Sequence, residues 1–290
     1  MKKMIILFGV LIVVGWGFWR GNWRAESVSV TEELQNQGSA PAGAGGSGGM
    51  TVRITKDQVY TGNLLLVNQD YPVPKAIAGM KNVRLSSTKE LSGRFVLADE
   101  TVQLTDFIAS QLETMFAAAE KDGVSHFRIN SGYRNEKEQN RLFKQMGDEY
   151  ALPAGYSEHN LGLSVDIGST LMEMSKAPEG EWLQNNAWRY GFVLRYPKNK
   201  TEITGIRYEP WHFRYVGLPH SAIMQQKNLV LEEYLDELKE KQSVTVRVGS
   251  QRYGLFYYPV DQDKTVQVPA KGQYEVWGDN RQGVIITVTL

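Results

Sequence analysis

One stretch, Ser157 to Asp166, constrains this chain more than any other. It reads Ser-Glu-His-Asn-Leu-Gly-Leu-Ser-Val-Asp and carries His159 and Asp166 close together. A second histidine stands well downstream, in Glu209-Pro210-Trp211-His212. Two neutral imidazoles and one carboxylate can hold a zinc ion and leave a fourth position open for water. That is the plan of a catalytic site rather than a structural one. Glu209 is then a spare carboxylate, able to take a proton from that water.

An H-x6-D pair is weak evidence alone. The opposing reading makes His159 and His212 hydrogen-bonded histidines of the core or the surface. Three features favour the metal. Polar residues cluster inside otherwise apolar stretches. Gly162 lies between His159 and Asp166, where it permits a tight backbone. Arg134 follows a strand-like segment in Ser131-Gly132-Tyr133-Arg134. His126 and His220 have no carboxylate at a suggestive spacing and read as ordinary histidines.

Composition removes several alternatives. Lysine plus arginine equals aspartate plus glutamate at 32 each, and there is no basic block, so nothing draws the chain to nucleic acid. There is no cysteine. Disulfides, thiolate metal sites, a cysteine nucleophile and an acylated lipoprotein cysteine are excluded. Hydrophobic content of 42% and charged content of 22% are those of a globular protein.

Met1-Lys2-Lys3 precedes an apolar run, Met4 to Trp19, closed by Arg20 and Arg24. This is the pattern of a signal peptide or signal anchor. No A-x-A cleavage site follows, which favours an anchor: a single membrane helix with the remainder extracytoplasmic. The residues from 25 to 50 form a linker. Its uncharged part, Asn36 to Gly49, is rich in glycine, alanine and serine and reads as a flexible tether.

The folded part is expected from about Met50. Leu64-Leu65-Leu66-Val67 looks like a strand core. Helices are predicted over Thr101–Asp122, Asn135–Met146 and Glu181–Tyr190, and through Pro219–Lys241. Strands are predicted at Phe127–Asn130, Leu163–Ile167, Phe192–Tyr196 and Tyr208–Tyr215. On an extended strand Glu209 and His212 would point to opposite faces, unless Pro210 distorts it. From Ser243 to Leu290 the pattern changes. Val244, Val246 and Val248 alternate with polar residues, as do Val284, Ile286 and Val288, with Ile285 breaking the rule. A small all-β module of four or five strands is expected over 242–290, beside a main domain at 51–241.

The pattern Ser157-x-His159-x-x-Gly162-Leu163-x-x-Asp166 with Glu209-x-Trp211-His212 resembles the VanY-type D-alanyl-D-alanine carboxypeptidases. These sit in a zinc peptidase group with the VanX dipeptidases and the L,D-carboxypeptidases. Ser131-Gly132-Tyr133-Arg134 with Gln139 is similar too. So are Tyr190-Gly191-Phe192, Arg195-Tyr196-Pro197 and Trp211 through Gly217. The resemblance runs from about Val59 to Leu238. Ser164 stands where alanine is commoner.

The resemblance implies an α+β fold, a small antiparallel sheet with flanking helices. It implies one zinc ion held by His159, Asp166 and His212, with Glu209 as general base and Arg134 beside the scissile carbonyl. Ser157 and Gln139 become candidates for holding the substrate terminus, and Tyr133 and Trp211 for shaping the pocket. The substrates implied are peptidoglycan stem peptides, trimmed of the last D-alanine of a pentapeptide. An L,D-carboxypeptidase acting on tetrapeptides shares these motifs. A non-catalytic wall-binding protein would have less reason to keep all four metal-site residues. No family is recognised for Ser243–Leu290. Those strands either bind wall polymer or a protein partner, or simply pack against the main domain.

Overall fold

The structure, a computed structural model, describes residues 30–33, 49–77, 82–84, 93–147, 150–269 and 273–290. The apolar run Met4–Trp19 and all of the tether except Gly49 lie outside them. Among the described residues no helix is long and apolar enough to cross a membrane.

The fold is mixed α and β. Its central sheet has five strands in the order Phe95–Leu97, Phe127–Ser131, Ser164–Ser169, His212–Tyr215 and Phe192–Leu194. Neighbours run antiparallel except the first pair, which is parallel. The helix Asp106–Lys121 packs on this sheet through Ile108, Leu112, Met115 and Phe116, all at most 1% exposed. Phe127, Ile129, Val165, Ile167 and Phe213 meet it from the strands.

Local chemistry decides where the elements begin. The first helix starts later than its apolar spacing suggests, because Gln103–Thr105 pairs with Asn82–Arg84. The Thr105 hydroxyl then accepts the Ile108 N–H at 3.2 Å, a cap worth about 1 kcal/mol. Glu136–Met146 is opened by a reciprocal box, with Asn135 accepting from the Glu138 N–H and Glu138 from the Asn135 N–H. The helical stretch after Pro219 is two helices, His220–Lys227 and Leu231–Lys241. They part at Asn228, whose φ of 53° no α-helix continues through.

Leu64 to Val67 is buried but is not a strand. Side chains take the place of a neighbouring strand. Arg214 donates to the carbonyls of Asn63 and Leu65, and Asn280 donates to that of Leu66. Backbone groups are satisfied without a ladder, so an apolar run of strand length need not join a sheet.

From Ser243 on, the described residues form five strands. Four of them, with Val30–Glu33, form an antiparallel sheet in the order 30–33, 243–248, 251–259, 283–289, 274–278. The fifth, Lys264–Pro269, pairs instead with Gly49–Ile54. Val30–Glu33 thus lies in a sheet, within the stretch read as linker. One face of the larger sheet shares a core with the helices: Val244, Val246, Leu255, Tyr257 and Ile285 meet Leu64, Leu66, Ile223, Tyr234 and Leu235. Val284, Ile286 and Val288 face the other way, onto Val52, Ile54 and Val268. Ile285 breaks the alternation because its strand is buried on both faces.

Candidate metal centre

The site is built where three strands meet. Asp166 lies opposite His212 on one neighbouring strand and opposite Ser131 on the other. Cross-strand partners share a face, which puts the Asp166 carboxylate beside the His212 ring. Asp166 Oδ1 stands 3.2 Å from His212 Nδ1. A register shift between Ile129 and Ser131 then turns the chain into Gly132. Gly132 has to be glycine, since a Cβ there would fall 2.2 Å from the Gln103 carbonyl oxygen.

His159 arrives on a short 3-10 turn, Glu158–Leu161. Ser157 caps it, its hydroxyl accepting the His159 N–H at 3.3 Å. Gly162 ends it in the left-handed region, φ 70°, and releases the chain into the Asp166 strand. The Nδ1 of His159 lies 2.6 Å from the Gly132 carbonyl oxygen. Its Nε2 therefore points inward, 3.3 Å from Asp166 Oδ2. The His159 and His212 rings are edge to face, 4.8 Å apart.

Glu209 and His212 do face the same space. The chain at Glu209–His212 is a turn rather than a strand, closed by the His212 N–H on the Glu209 carbonyl at 3.2 Å. The Glu209 N–H is anchored on the Tyr196 carbonyl at 3.1 Å. Its carboxylate reaches within 3.5 Å of His212 Nδ1. The predicted strand Tyr208–Tyr215 is thereby shortened to His212–Tyr215, and the opposite-face problem disappears.

One donor atom from each of His159, Asp166 and His212 lies within 4.8 Å of the others, and all three residues are buried. His159 Nε2 and Asp166 Oδ1 have no hydrogen-bond partner. Buried polar atoms without partners cost on the order of 1–3 kcal/mol each. Two of them converging with a third donor fit a cation. Nitrogen and oxygen donors with no thiolate suit zinc, and the fourth side of the set faces an open cleft.

The charges agree. Burial, and then the Arg134 charge, hold His159 down to about 4, neutral and ready to bind. Burial opposes the Asp166 charge, yet His159 and His212 on either side hold its pKa well below the usual carboxylate range. Burial would lower His212 as well, but Asp166 and Glu158 outweigh it and raise it to about 9. Without metal, a proton on His212 fills the cation's place among these carboxylates, and metal binding would release it. Burial lifts Glu209 to about 7.

Arg134, Gln139, Ser157, Glu209 and Trp211 line the same cleft as the three donors. The Arg134 backbone is clamped, its N–H on the His159 carbonyl at 3.2 Å and its own carbonyl taking the Asn160 side chain at 2.6 Å. Its Nε is buried without a partner. Gln139 donates to the Leu152 carbonyl at 2.6 Å, leaving its oxygen buried and unpaired. Tyr133 does not line the cleft. Its N–H instead ties the turn to the Gln103 carbonyl at 2.7 Å. Sequence reading missed Glu158 and Tyr196. Glu158 lies 3.4 Å from His212 Nε2, and Tyr196 packs its ring on that of His212 at 4.8 Å. His220 sits in the core, with Nδ1 2.6 Å from the Tyr234 hydroxyl and Nε2 3.0 Å from that of Thr287.

Three buried donors, a spare carboxylate and a guanidinium on one cleft define a metallohydrolase centre. Residues 101–218 match the model of the VanY family, described as D-alanyl-D-alanine carboxypeptidase. A D-alanyl-D-alanine carboxypeptidase of Enterococcus faecium is 49% identical, over 99% of this chain and 96% of that one. The chain belongs to the VanY family. Among solved structures, the vancomycin-resistance D,D-dipeptidase VanXYg, bound to a D-Ala-D-Ala phosphinate analogue, superposes with a TM-score of 0.72. That match has 28% identity and covers 83% of this chain and 99% of that one. A mutant of the D,D-pentapeptidase VanY from a VanB-type resistance cassette, in complex with Zn(II), gives a TM-score of 0.50. It is 34% identical, over 60% of this chain and 98% of that one.

Proposed function

We propose that this protein is a zinc-dependent D-alanyl-D-alanine carboxypeptidase that removes the terminal D-alanine from peptidoglycan stem pentapeptides. The observation that carries the reading is the orphaned pair, His159 Nε2 and Asp166 Oδ1, beside His212 and within reach of Glu209.

His159, Asp166 and His212 would hold one ion. When bound, zinc supplies Lewis-acid chemistry and lowers the pKa of a water towards ~7. The rest falls to the protein. Glu209 takes the proton of the attacking water and returns it to the departing D-alanine amine. A buried carboxylate, which burial favours in its protonated form, suits both steps. Arg134, held at the cleft wall by its backbone, offers donors to the scissile carbonyl oxygen as negative charge grows there. A fixed donor in that role is worth about 3 kcal/mol of barrier. Ser157 and Gln139, which line the cleft, would receive the substrate terminus, and Trp211 would form part of the wall.

The N-terminal segment would tether this domain outside the membrane, with the linker setting its reach. The core shared by the C-terminal strands and the helices supports packing as the role of that region.

The test uses the full chain in detergent with pentapeptide and tetrapeptide stems, with and without a chelator, and weighs the products. Chelator-sensitive loss of one D-alanine from the pentapeptide is expected. Cleavage of the tetrapeptide alone would reassign the enzyme as an L,D-carboxypeptidase. No cleavage of either would leave a binding protein.

A further inference from the structure

We propose that Glu158 is a positioning residue for the reaction: it fixes which nitrogen of His212 faces the metal. The proposal rests on the zinc reading of the site.

The His212 ring has two sides. Nδ1 faces Asp166 and Glu209, at 3.2 and 3.5 Å. Nε2 faces away from them, 3.4 Å from Glu158 Oε2, with no hydrogen bond closed between the two atoms. A neutral imidazole that gives one nitrogen to a metal carries its proton on the other. A carboxylate facing that proton sets both the tautomer and the ring angle. Glu158 is the carboxylate in that place.

Its own surroundings show that it is held there. The Glu158 side chain is wholly buried, where a lone carboxylate would be untenable. Oε1 accepts from Arg195 Nε at 2.8 Å and from Arg214 Nη1 at 2.7 Å, and Oε2 accepts from the Ser164 hydroxyl at 3.0 Å. Both guanidiniums are themselves wholly buried. Arg195 spends its remaining donors on a bidentate pair with Glu232, at 2.8 and 2.6 Å. Arg214 spends its own on the carbonyls of Asn63, Leu65 and Tyr215. Asn68 completes Glu232 at 3.2 Å. Two carboxylates and two guanidiniums balance. A set bonded in this way holds Glu158 Oε2 in place beside the His212 ring, 3.4 Å from Nε2. The cluster also ties the metal site to the helix Leu231–Lys241, which carries Glu232.

The experiment compares Glu158→Gln with the parent, full chain in both cases. Zinc affinity is read by competition with a chromophoric chelator, and kcat and KM on the pentapeptide are read separately. A weakening of zinc binding by about 10- to 100-fold is expected, with the loss of turnover in kcat rather than KM. A role confined to fold stability would lower the unfolding midpoint of the metal-free protein and leave zinc affinity alone. That outcome overturns the proposal. Should the variant not fold, nitrogen-15 NMR of the zinc-loaded parent decides. The proposal requires the His212 proton on Nε2, and a proton on Nδ1 overturns it. A parent that binds no zinc overturns the enzymatic reading and this one together. A parent that binds zinc beside a Glu158→Gln protein that binds it equally well overturns this one alone.

Discussion

His159 and His220 are buried to the same degree, at 1% and 0% exposed, and they do opposite things. His220 has a hydroxyl on each nitrogen and no charged partner. His159 has one nitrogen on the Gly132 carbonyl and the other left bare, aimed at Asp166. Burial does not mark a functional histidine. An unsatisfied nitrogen that shares its space with other donors does. A fold tolerates that cost where a ligand repays it, and at His220 the protein spends nothing of the kind.

The contrast is sharpest under substitution. His159→Ala should lose the metal, measured by atomic absorption, and with it all turnover above background. A His159→Ala protein with a full complement of zinc would end the assignment. Next in size, Glu209→Ala should keep its zinc and lose turnover by about 10⁴-fold, the upper end of what a general base supplies. An active Glu209→Ala enzyme would remove Glu209 as the base. Arg134→Ala should cost about 10²-fold in kcat, as the loss of one fixed donor to a developing oxyanion. If instead only KM rises, Arg134 binds substrate and does no more.

The smallest effect belongs to His220, and it concerns stability. Burial holds its pKa down to about 3, against an ordinary 6.5. Below pH 6.5 the unfolded chain takes up a proton that the folded one refuses, so the native state loses stability as pH falls towards 3. The slope for one such proton is about 1.4 kcal/mol per pH unit. His220→Gln should bind zinc normally and be less stable at pH 7. Its deficit against the parent should shrink as the pH drops, read from urea unfolding of the metal-free proteins. A deficit independent of pH would mean that His220 takes up its proton in the fold as readily as in the unfolded chain.

Much of the site was legible because its residues are polar interruptions in apolar stretches and carry a family pattern. Their geometry was less so. Glu209 and His212 looked opposed on a strand, and only the turn at Glu209–His212 resolves this. Glu158 drew no reading of its own, and Arg195 and Arg214 entered only within stretches that resemble the family. Nothing local says that they are buried, since their mutual neutralisation depends on residues brought together from distant parts of the chain. Leu64–Val67 failed as a strand for the same reason, its carbonyls being met by Arg214 and Asn280 rather than by a neighbour in sequence. The doubly buried strand carrying Ile285 hid its second face, because alternation reports one wall only.

Gly49–Ile54 waits for Lys264–Pro269, and Val30–Glu33 for Ser243–Val248. Arg53 and Asp263, joined at the end of one of these pairs, are 210 residues apart. In the order of synthesis, the two strands made first therefore wait for partners made late in the chain. A chain released early keeps open sheet edges, the surfaces on which unfinished proteins stick to one another. The last stretch to be made is the one that closes the molecule.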